Sequence, residues 1–319
     1  MFKLGTRKSE LALVQSRFIQ SLLKQHQVDC ELVLIESQGD KDLSKPLYEI
    51  ETAGPGLFTK HLEQALLENR VDLAVHSLKD LPTLQPEGLA LGAVTARENP
   101  ADVLVTLKTN LDPLAKLGIK KGLKVGTSSL RREAHLRYHR PDLQVVPIRG
   151  NVPTRVSHIT SGKVDAVVLA AAGLKRLSLD LKDLAVRELS PEEFVPAPAQ
   201  GALGIEIRTD ADPKLKAALS KIHDRYSAFE TKLERRILRE LEGGCTLPLG
   251  VRCQHPRRDS GRFTLSAFLG ADEVDSSGKR AWLGFERFDI SDEGNETLAE
   301  NLADQTVRHL KAFLTRLGL

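Results

Sequence analysis

The chain has 319 residues, of which 41% are hydrophobic, 28% are charged and 4% are aromatic, and its formal net charge is +3 at pH 7. These values are typical of a folded protein with two or three domains, and so small a net charge gives no reason to expect a nucleic-acid partner. Charges interrupt the first segment, and the longest apolar run, 166–174, is far shorter than a membrane span. We therefore expect no signal peptide, no membrane segment and a cytoplasmic location.

The first part of the chain alternates strand-like and helix-like segments. Strands are predicted at 2–6, 31–37 and 71–77, and between them lie an amphipathic helix that begins near Ser9 and a second helix over 56–70. A β-α-β-α-β order predicts a parallel sheet that is covered by helices.

A second unit repeats this pattern further along the chain. Its predicted elements, strands and helices in turn, are at 123–129, 130–139, 143–150, 152–161 and 164–173. Segments rich in proline or glycine, at 97–105 and 196–207, suggest two crossings between the units. The expected fold class is therefore α/β, with two domains around a central cleft.

The character of the sequence changes after about residue 213. A long helix, an antiparallel pair of strands and a closing helix predict a small C-terminal α+β domain. The predicted division is residues 1–99 with 198–218 for domain 1, 100–197 for domain 2 and 219–319 for domain 3.

Basic and hydroxyl side chains follow nearly every predicted strand. Ligands of open α/β sheets bind at the carboxyl ends of strands, so these positions are candidates for a site. Arginine matches carboxylates with a planar fork, and "GTSSLRR" adds a helix N-terminus, which favours anions. The pattern predicts a multiply anionic ligand, although any one arginine can equally be a solvated surface residue. The residues are Arg7, Ser9, Ser129, Arg131, Arg132, Arg149, Arg155, Lys175 and Arg176.

Asp80 is the single carboxylate in this set, in the segment "HSLKDLP". Among cations it stays ionised, and it can exchange protons or stabilise a positively charged intermediate. A salt-bridged or capping aspartate is the structural alternative. For His76, we favour a core histidine with a satisfied hydrogen bond.

The chain has three cysteines, an odd number without paired spacing, which argues against a disulfide framework. Cys30 and Cys253 lie in apolar segments and are interpreted as structural. Cys245 lies in "ELEGGCTLPLG" after a helix C-terminus, where the helix dipole disfavours a thiolate. It is either a point of covalent attachment or an ordinary loop thiol. No CxxC or HExxH motif indicates a metal.

Seven segments together carry a resemblance to a known family. They occur in the family's order and are "GTRKSELALVQ", "ALLENRVDLAVHSLKDLP", "GTSSLRR", "IRGNVPTR", "DAVVLAAAGLKRL", "PAPAQGALGIE" and "LEGGCTLPLG". The chain resembles the porphobilinogen deaminase family, also called hydroxymethylbilane synthases, of tetrapyrrole and haem biosynthesis.

The resemblance implies two periplasmic-binding-protein-like domains and a third domain that carries Cys245. A dipyrromethane cofactor is held on that cysteine through a thioether. Four porphobilinogen molecules are added head to tail, each with loss of ammonia, and water then releases the linear tetrapyrrole. The resemblance also suggests a monomer that uses no metal, membrane or nucleic acid.

The resemblance assigns roles residue by residue. Asp80 is catalytic, and Cys245 carries the cofactor. The cofactor is further bound by Lys79, Asp80, Ser129, Arg131, Arg132 and Arg149. The substrate is bound by Arg7, Ser9, Arg149, Arg155 and Arg176.

Two departures from the family pattern stand out. Pro55 replaces a common lysine, which leaves the contacts of the preceding loop open, and Ala199 replaces a usual glycine, which suggests a stiffer crossing. Two other classes stay open on the residues alone. A non-catalytic anion-binding protein explains the arginines but gives Cys245 no role, and a phosphate-handling enzyme lacks its glycine-rich loop.

Overall fold

The structure is a computed structural model that describes residues 1–36, 59–241, 247–256, 262–274, 280–293 and 295–319. The predicted sites at Pro55 and Cys245 lie outside these ranges, as do Gly243 and Gly244 next to the cysteine.

Strands and helices are numbered in chain order over the described residues. The strands are β1 Phe2–Thr6, β2 Cys30–Leu34, β3 Leu73–Ser77, β4 Leu89–Val94, β5 Asp102–Leu107, β6 Lys124–Gly126, β7 Gln144–Val146, β8 Ala166–Ala170, β9 Leu184–Leu189, β10 Leu203–Arg208, β11 Leu249–Gln254, β12 Arg262–Val274 and β13 Arg280–Glu293. The helices are α1 Glu10–Gln25, α2 Lys60–Leu67, α3 Leu130–His139, α4 Val152–Thr160, α5 Ala171–Leu177, α6 Pro213–Ile222, α7 Arg225–Glu240 and α8 Glu296–Arg316.

The first sheet has five strands in the order β2-β1-β3-β10-β4. Strands β1, β2 and β3 are parallel, as their connecting helices predict. Strand β10, from the segment that the sequence predicted as a further strand, enters between β3 and β4 and runs antiparallel to both. Ile19 of α1 belongs to one core cluster with Leu4 of β1 and Leu203 of β10, so helix α1 covers a face of this sheet.

The second sheet repeats the same plan in the order β7-β6-β8-β5-β9. Its strands β6, β7 and β8 are parallel, and β5 runs antiparallel to both β8 and β9. Leu136 of α3 packs with Leu104, Val125 and Val168 of three strands. The apolar face of α3 is thereby fixed on the sheet.

The third sheet is small and antiparallel, in the order β11-β12-β13. The predicted antiparallel pair is confirmed as β12 and β13, and α8 packs on both strands. Phe268 of β12 forms a buried cluster with Ala134 of α3 and Val195. His135 stacks between Phe194 and Phe268, with ring centroids 4.4 Å and 3.7 Å away.

Contacts divide the chain into two units. Unit 1 comprises Met1–Pro100, Ala172–Ser178 and Gln200–Phe229, and unit 2 comprises Ala101–Ala171, Leu179–Ala199 and Glu230–Leu319. The predicted α/β class is confirmed, with two five-stranded α/β sheets followed by a small antiparallel sheet and the closing helix α8. The predicted cleft and domain boundaries stay predictions. Among the helices of the described ranges, none is long and apolar enough to cross a membrane.

Candidate active site

One edge of the first sheet collects the candidate residues of unit 1. Strands β1 and β3 are parallel neighbours, with Leu4 paired to Leu73. Their carboxyl ends therefore meet at the same edge. Arg7 and Ser9 follow β1, and Lys79 and Asp80 follow β3, so all four leave the sheet on that edge.

The turn after β1 has a defined shape. Ser9 caps α1, because its extended backbone lets the side chain accept a hydrogen bond from the Ala12 N–H at 3.4 Å. The buried Thr6 hydroxyl donates to the Ala12 carbonyl at 3.2 Å. Both bonds fix the short segment that carries the half-buried Arg7.

The turn after β3 presents the carboxylate. Leu78–Asp80 forms a single 3₁₀ turn directly after the strand. Leu78 is fully buried and anchors this turn, while Asp80 is exposed and Lys79 is half-buried. A packed leucine therefore holds Asp80 at the sheet edge with its carboxylate in solvent, where a ligand can reach it.

The segment that leads into β10 reaches the same edge, because Leu203 of β10 pairs with Ser77 of β3. Lys79 Nζ donates to Gln200 Oε1 at 3.3 Å, and Arg176 Nη2 donates to the Gly201 carbonyl at 2.8 Å. Lys79 and Arg176 thus bind the consecutive residues Gln200 and Gly201. Burial lowers the pKa of Arg176, whose guanidinium nevertheless stays a cation.

Arg97 is a third cation at this segment, and the sequence patterns did not reveal it. Its Nε donates to the Gln200 carbonyl at 2.8 Å. Gly201 has φ of +95°, and a Cβ atom there would lie 2.3 Å from the Glu98 carbonyl oxygen. Only glycine permits so close an approach of the two chain segments.

His76 is a core histidine, as the sequence suggested. Its Nε2 lies 3.0 Å from Glu206 Oε2, and both side chains are buried. Because the imidazole points into the sheet interior and is already paired, it is not available to a ligand at the edge.

A second edge, in unit 2, collects the other candidates. Strand β6 is parallel to β7 and β8, so Ser129 after β6 and Arg149 after β7 follow carboxyl ends at one edge. Ser129 caps α3 and accepts a hydrogen bond from the Arg132 N–H at 3.5 Å. Ser128 donates to the Ile148 carbonyl and so ties the two strand ends together.

Arg131 and Arg132 are not solvated surface residues. Their relative exposures are 4% and 5%, and both guanidinium groups pair with the fully buried Asp102. Arg131 Nη1 lies 2.7 Å from Asp102 Oδ2, and Arg132 Nη2 lies 2.7 Å from Asp102 Oδ1. The sequence patterns did not indicate Asp102, because it lies 30 residues from Arg132.

This carboxylate halves the charge of the arginine pair. Burial alone would raise the pKa of Asp102, but Arg131 and Arg132 outweigh burial and hold that pKa well below its usual range. Asp102 is therefore ionised at neutral pH. Two guanidinium groups and one carboxylate carry a net charge of one positive unit.

Arg155 lies on the turn that follows Arg149. Its Nε donates to the Gly150 carbonyl at 2.8 Å, and Asn151 caps α4 by accepting from the Thr154 N–H at 3.0 Å. Gly150 has φ of +103°, and a Cβ atom there would lie 2.7 Å from Thr154 Cγ2. The "RGN" turn therefore requires its glycine.

The two cysteines in the described part of the chain are buried and free. Burial, together with nearby Asp29 and Asp72, raises the pKa of Cys30 to about 11. Cys253 lies within β11 and is 2% exposed. Both fit the structural role expected of them. Within the described ranges, no three His, Cys, Asp or Glu side chains come together as metal ligands.

These features define an α/β protein with two cation-bearing sheet edges for an anionic ligand. One edge also carries an exposed carboxylate that is able to exchange protons. The residues of unit 1 that meet at one edge are Arg7, Ser9, Lys79, Asp80 and Arg176, and those of unit 2 are Ser129, Arg131, Arg132, Arg149 and Arg155.

Comparison with known proteins identifies the family. Residues 2–239 match the family model described as "Porphobilinogen deaminase, dipyromethane cofactor binding domain". The chain is 43% identical over 252 residues to the porphobilinogen deaminase of Campylobacter jejuni subsp. doylei, which covers 79% of this chain and 80% of that protein. It is 43% identical over 270 residues to that of Sulfurimonas denitrificans, covering 84% and 83% of the two chains. The chain belongs to the porphobilinogen deaminase family.

A solved structure gives a weaker likeness. The VFT2 domain of Bordetella pertussis BvgS (double mutant F375E/Q461E) aligns with a TM-score of 0.43 and 14% identity, covering 69% of this chain and 85% of that chain. So low a score carries no conclusion on fold or function. The family, with its role in tetrapyrrole biosynthesis, follows from the sequence comparisons alone.

Proposed function

We propose that the chain joins four porphobilinogen molecules head to tail on a dipyrromethane primer, with loss of ammonia at each addition. Water then releases the linear tetrapyrrole hydroxymethylbilane. The observation that carries this proposal is the edge of unit 1, where the exposed Asp80 carboxylate leaves the sheet beside Lys79 and on the same side as Arg7. Family membership supplies the substrate class.

The described residues fit a dipyrromethane. This group carries acetate and propionate side chains, so it needs cations and hydrogen-bond donors. In unit 2 the Asp102 triad keeps one uncompensated positive charge, and Arg149 and Arg155 lie at the same edge. We propose that Ser129, Arg131, Arg132, Arg149, Lys79 and Asp80 hold the group. When bound, it supplies the pyrrole carbon to which the next unit is joined.

Further cations bind the substrate in this proposal. Each porphobilinogen brings two carboxylates, and every addition increases the negative charge that the protein must neutralise. Arg7, Ser9, Arg149, Arg155 and Arg176 are the proposed binders. Arg149, Arg155 and Arg176 are half-buried, where a charge-assisted hydrogen bond is stronger than in open water.

Asp80 handles the positive charge of the reaction. Ammonia leaves with the electron pair of the carbon–nitrogen bond of porphobilinogen, and the pyrrole that remains is cationic. The Asp80 carboxylate stabilises this cation by accepting a hydrogen bond from the pyrrole N–H. Asp80 would then accept the proton that is released when the new carbon–carbon bond forms, and would pass it to solvent. Charge stabilisation and proton transfer of this kind contribute about 10²–10⁴-fold in rate.

Cys245 is the proposed point of covalent attachment, through a thioether. It lies after the family-model match at 2–239 and outside the described residues, so the support comes from the motif "LEGGCTLPLG" and from the other cysteines. Cys30 and Cys253 are buried in strands, and neither thiol is placed to carry a pyrrole group. The family resemblance assigns the attachment to Cys245, and the burial of the other two cysteines agrees with that assignment.

Intact mass spectrometry of the purified full chain tests the attachment. We expect a mass that exceeds the sequence mass by one dipyrromethane, with the addition located on the peptide that contains Cys245. Cys245→Ala should have the plain sequence mass, and Cys253→Ala should keep the addition. An unmodified mass in protein that consumes porphobilinogen would contradict the proposal.

Turnover tests the role of Asp80. We expect Asp80→Ala to fold and to lose about 10²–10⁴-fold of the rate of porphobilinogen consumption. The matched control is Asp183→Ala, which removes an exposed aspartate on the way into β9 of unit 2. Equal rates for both variants would remove Asp80 from its role.

We also propose that the protein works as a monomer in the cytoplasm, without a metal, membrane or nucleic-acid partner. Family resemblance supports these points. Light scattering of the purified chain and turnover in the presence of a chelator test the oligomeric state and the metal independence.

A further inference from the structure

The side chain of Gln200 is a buried amide in unit 1 with no role in the proposed reaction so far. It is 1% exposed, and both ends of its amide are used. Oε1 accepts from Lys79 Nζ at 3.3 Å, and Nε2 donates to the Pro100 carbonyl at 2.7 Å. Pro100 ends the first segment of unit 1, and Gln200 begins its last segment.

The backbone of Gln200 is held as firmly as its side chain. Its carbonyl accepts from Arg97 Nε at 2.8 Å, and the next carbonyl, of Gly201, accepts from Arg176 Nη2 at 2.8 Å. A buried amide with both ends paired has one favourable orientation, because turning it would leave a donor and an acceptor unsatisfied. The Oε1 atom is therefore a fixed acceptor.

A fixed acceptor matters more for the position of the Lys79 ammonium than for the planar guanidinium groups of Arg97 and Arg176. The Lys79 ammonium is carried on a flexible four-carbon stem, and ordering that stem costs rotamer entropy. Lys79 is half-buried and precedes Asp80 in the same short turn. The position of its charge therefore depends on the groups around it.

We propose that Gln200 is a positioning residue that fixes the Lys79 ammonium at the edge where Asp80 is presented, and so sets the affinity of this edge for ligand carboxylates. The inference deepens the proposed function, on which its catalytic consequence rests. The contact itself is independent of that function.

Chemical labelling tests the contact without any turnover. The full chain is treated with formaldehyde and a mild reductant, and dimethylation of Lys79 is followed by peptide mass spectrometry. In Gln200→Leu, which loses the amide, we expect Lys79 to react about fivefold faster than in the unsubstituted chain. In Gln200→Glu, which keeps an oxygen acceptor, Lys79 should stay slow.

The matched control for labelling is Gln20→Leu. Gln20 lies on α1 of the same unit, and its Nε2 also donates to a backbone carbonyl, that of Cys30 at 2.7 Å. The control should leave the rate at Lys79 unchanged. If Gln200→Leu labels Lys79 no faster than the control does, the proposal is overturned.

A double-mutant cycle tests the catalytic consequence. For kcat/KM with porphobilinogen, we expect Gln200→Leu and Lys79→Gln each to lose about tenfold, and the double variant to lose no more than Lys79→Gln alone. A merely structural role of Gln200 would make the two losses multiply, and that result would overturn the proposal. If the unsubstituted chain does not consume porphobilinogen, the proposed function fails, while the labelling result still decides the role of Gln200.

Discussion

Glu234 accepts a hydrogen bond from the backbone N–H of Ala199 at 2.6 Å, on Oε2, while its Oε1 accepts from the Cys253 N–H at 2.8 Å. One fully buried carboxylate on α7 thus joins the segment before β10 to strand β11. Ala199 has φ of 63°, a left-handed conformation that costs a residue with a Cβ atom roughly 1–2 kcal/mol. Glu234 therefore stabilises a strained turn at the position where the resemblance led us to expect glycine.

Glu234→Gln should lower the free energy of unfolding by about 1–3 kcal/mol, because the amide cannot accept at both positions. The measurement is urea denaturation followed by circular dichroism. Glu300→Gln is the control, since Glu300 is half-exposed and pairs with Lys232 at 3.5 Å. Adding Ala199→Gly to Glu234→Gln should restore part of the stability, and a double variant no more stable than Glu234→Gln would show that strain at Ala199 is not the cause.

Asp102→Asn should be among the most damaging single changes in unit 2. It leaves two buried guanidinium groups beside each other with no opposing charge, a situation that costs about 3–5 kcal/mol. The folded-state pKa of Asp102 is depressed, so its contribution to stability is present at neutral pH and is lost only in acid. Denaturation at neutral pH measures the effect. Asp142→Asn, which weakens the more exposed pair with Arg140, should cost far less, and similar losses would contradict our account of the triad.

His135 should make the fold sensitive to mild acid. Burial and the nearby Arg131 charge lower its pKa well below the usual value, so the folded chain keeps it neutral. The unfolded chain binds a proton as pH falls through about 6.5, and stability should therefore fall between about pH 7 and pH 5.

His135→Phe should flatten that decline, which is read from the melting temperature across the pH range. The exposed His26 gives the control His26→Gln, and the decline should persist in it. If both variants decline as steeply as the unsubstituted chain, His135 is not the group responsible.

Cys30 and Cys253 should resist alkylation in the folded chain. The thiolate is the reactive form, and the raised pKa of Cys30 keeps it protonated at about pH 8. Cys253 is shielded within its strand. Iodoacetamide followed by peptide mass spectrometry should label neither residue in buffer and both in urea. Rapid labelling of either one in buffer would contradict its assignment as a buried structural cysteine.

The sequence predicted those elements whose own hydrophobic pattern indicates a strand or a helix without reference to distant residues. The strand Phe2–Thr6 and the helix Leu130–His139 have the predicted bounds, and the pairing of β12 with β13 was expected. Strands β4, β5, β9 and β11 were not predicted, although each has six residues and is thus longer than the predicted strand β1. The place of β10 depends on strands more than a hundred residues earlier, which no local pattern encodes.

In the candidate site, too, local sequence predicted some residues, while others depend on contacts between distant parts of the chain. The rule that ligands bind at strand ends placed Arg7, Lys79 and Asp80 at one edge, as the structure has them. The partners that tune the site were not foreseen. Asp102 and Gln200 are far in sequence from the cations they contact, so their roles emerge only once the chain has folded.

The strand order also has a consequence for synthesis of the chain. The second sheet has all its strands once Leu189 has been made, whereas the first sheet, which begins at Phe2, needs Leu203–Arg208 to join β3 to β4. Until then β4 has no strand to pair with, and the backbone groups of β3 that will bond to β10 are unpaired. On a ribosome, the first of the two α/β sheets to begin is therefore completed after the second, and the nascent chain must keep the unpaired side of β3 from pairing with other strands while the second sheet assembles.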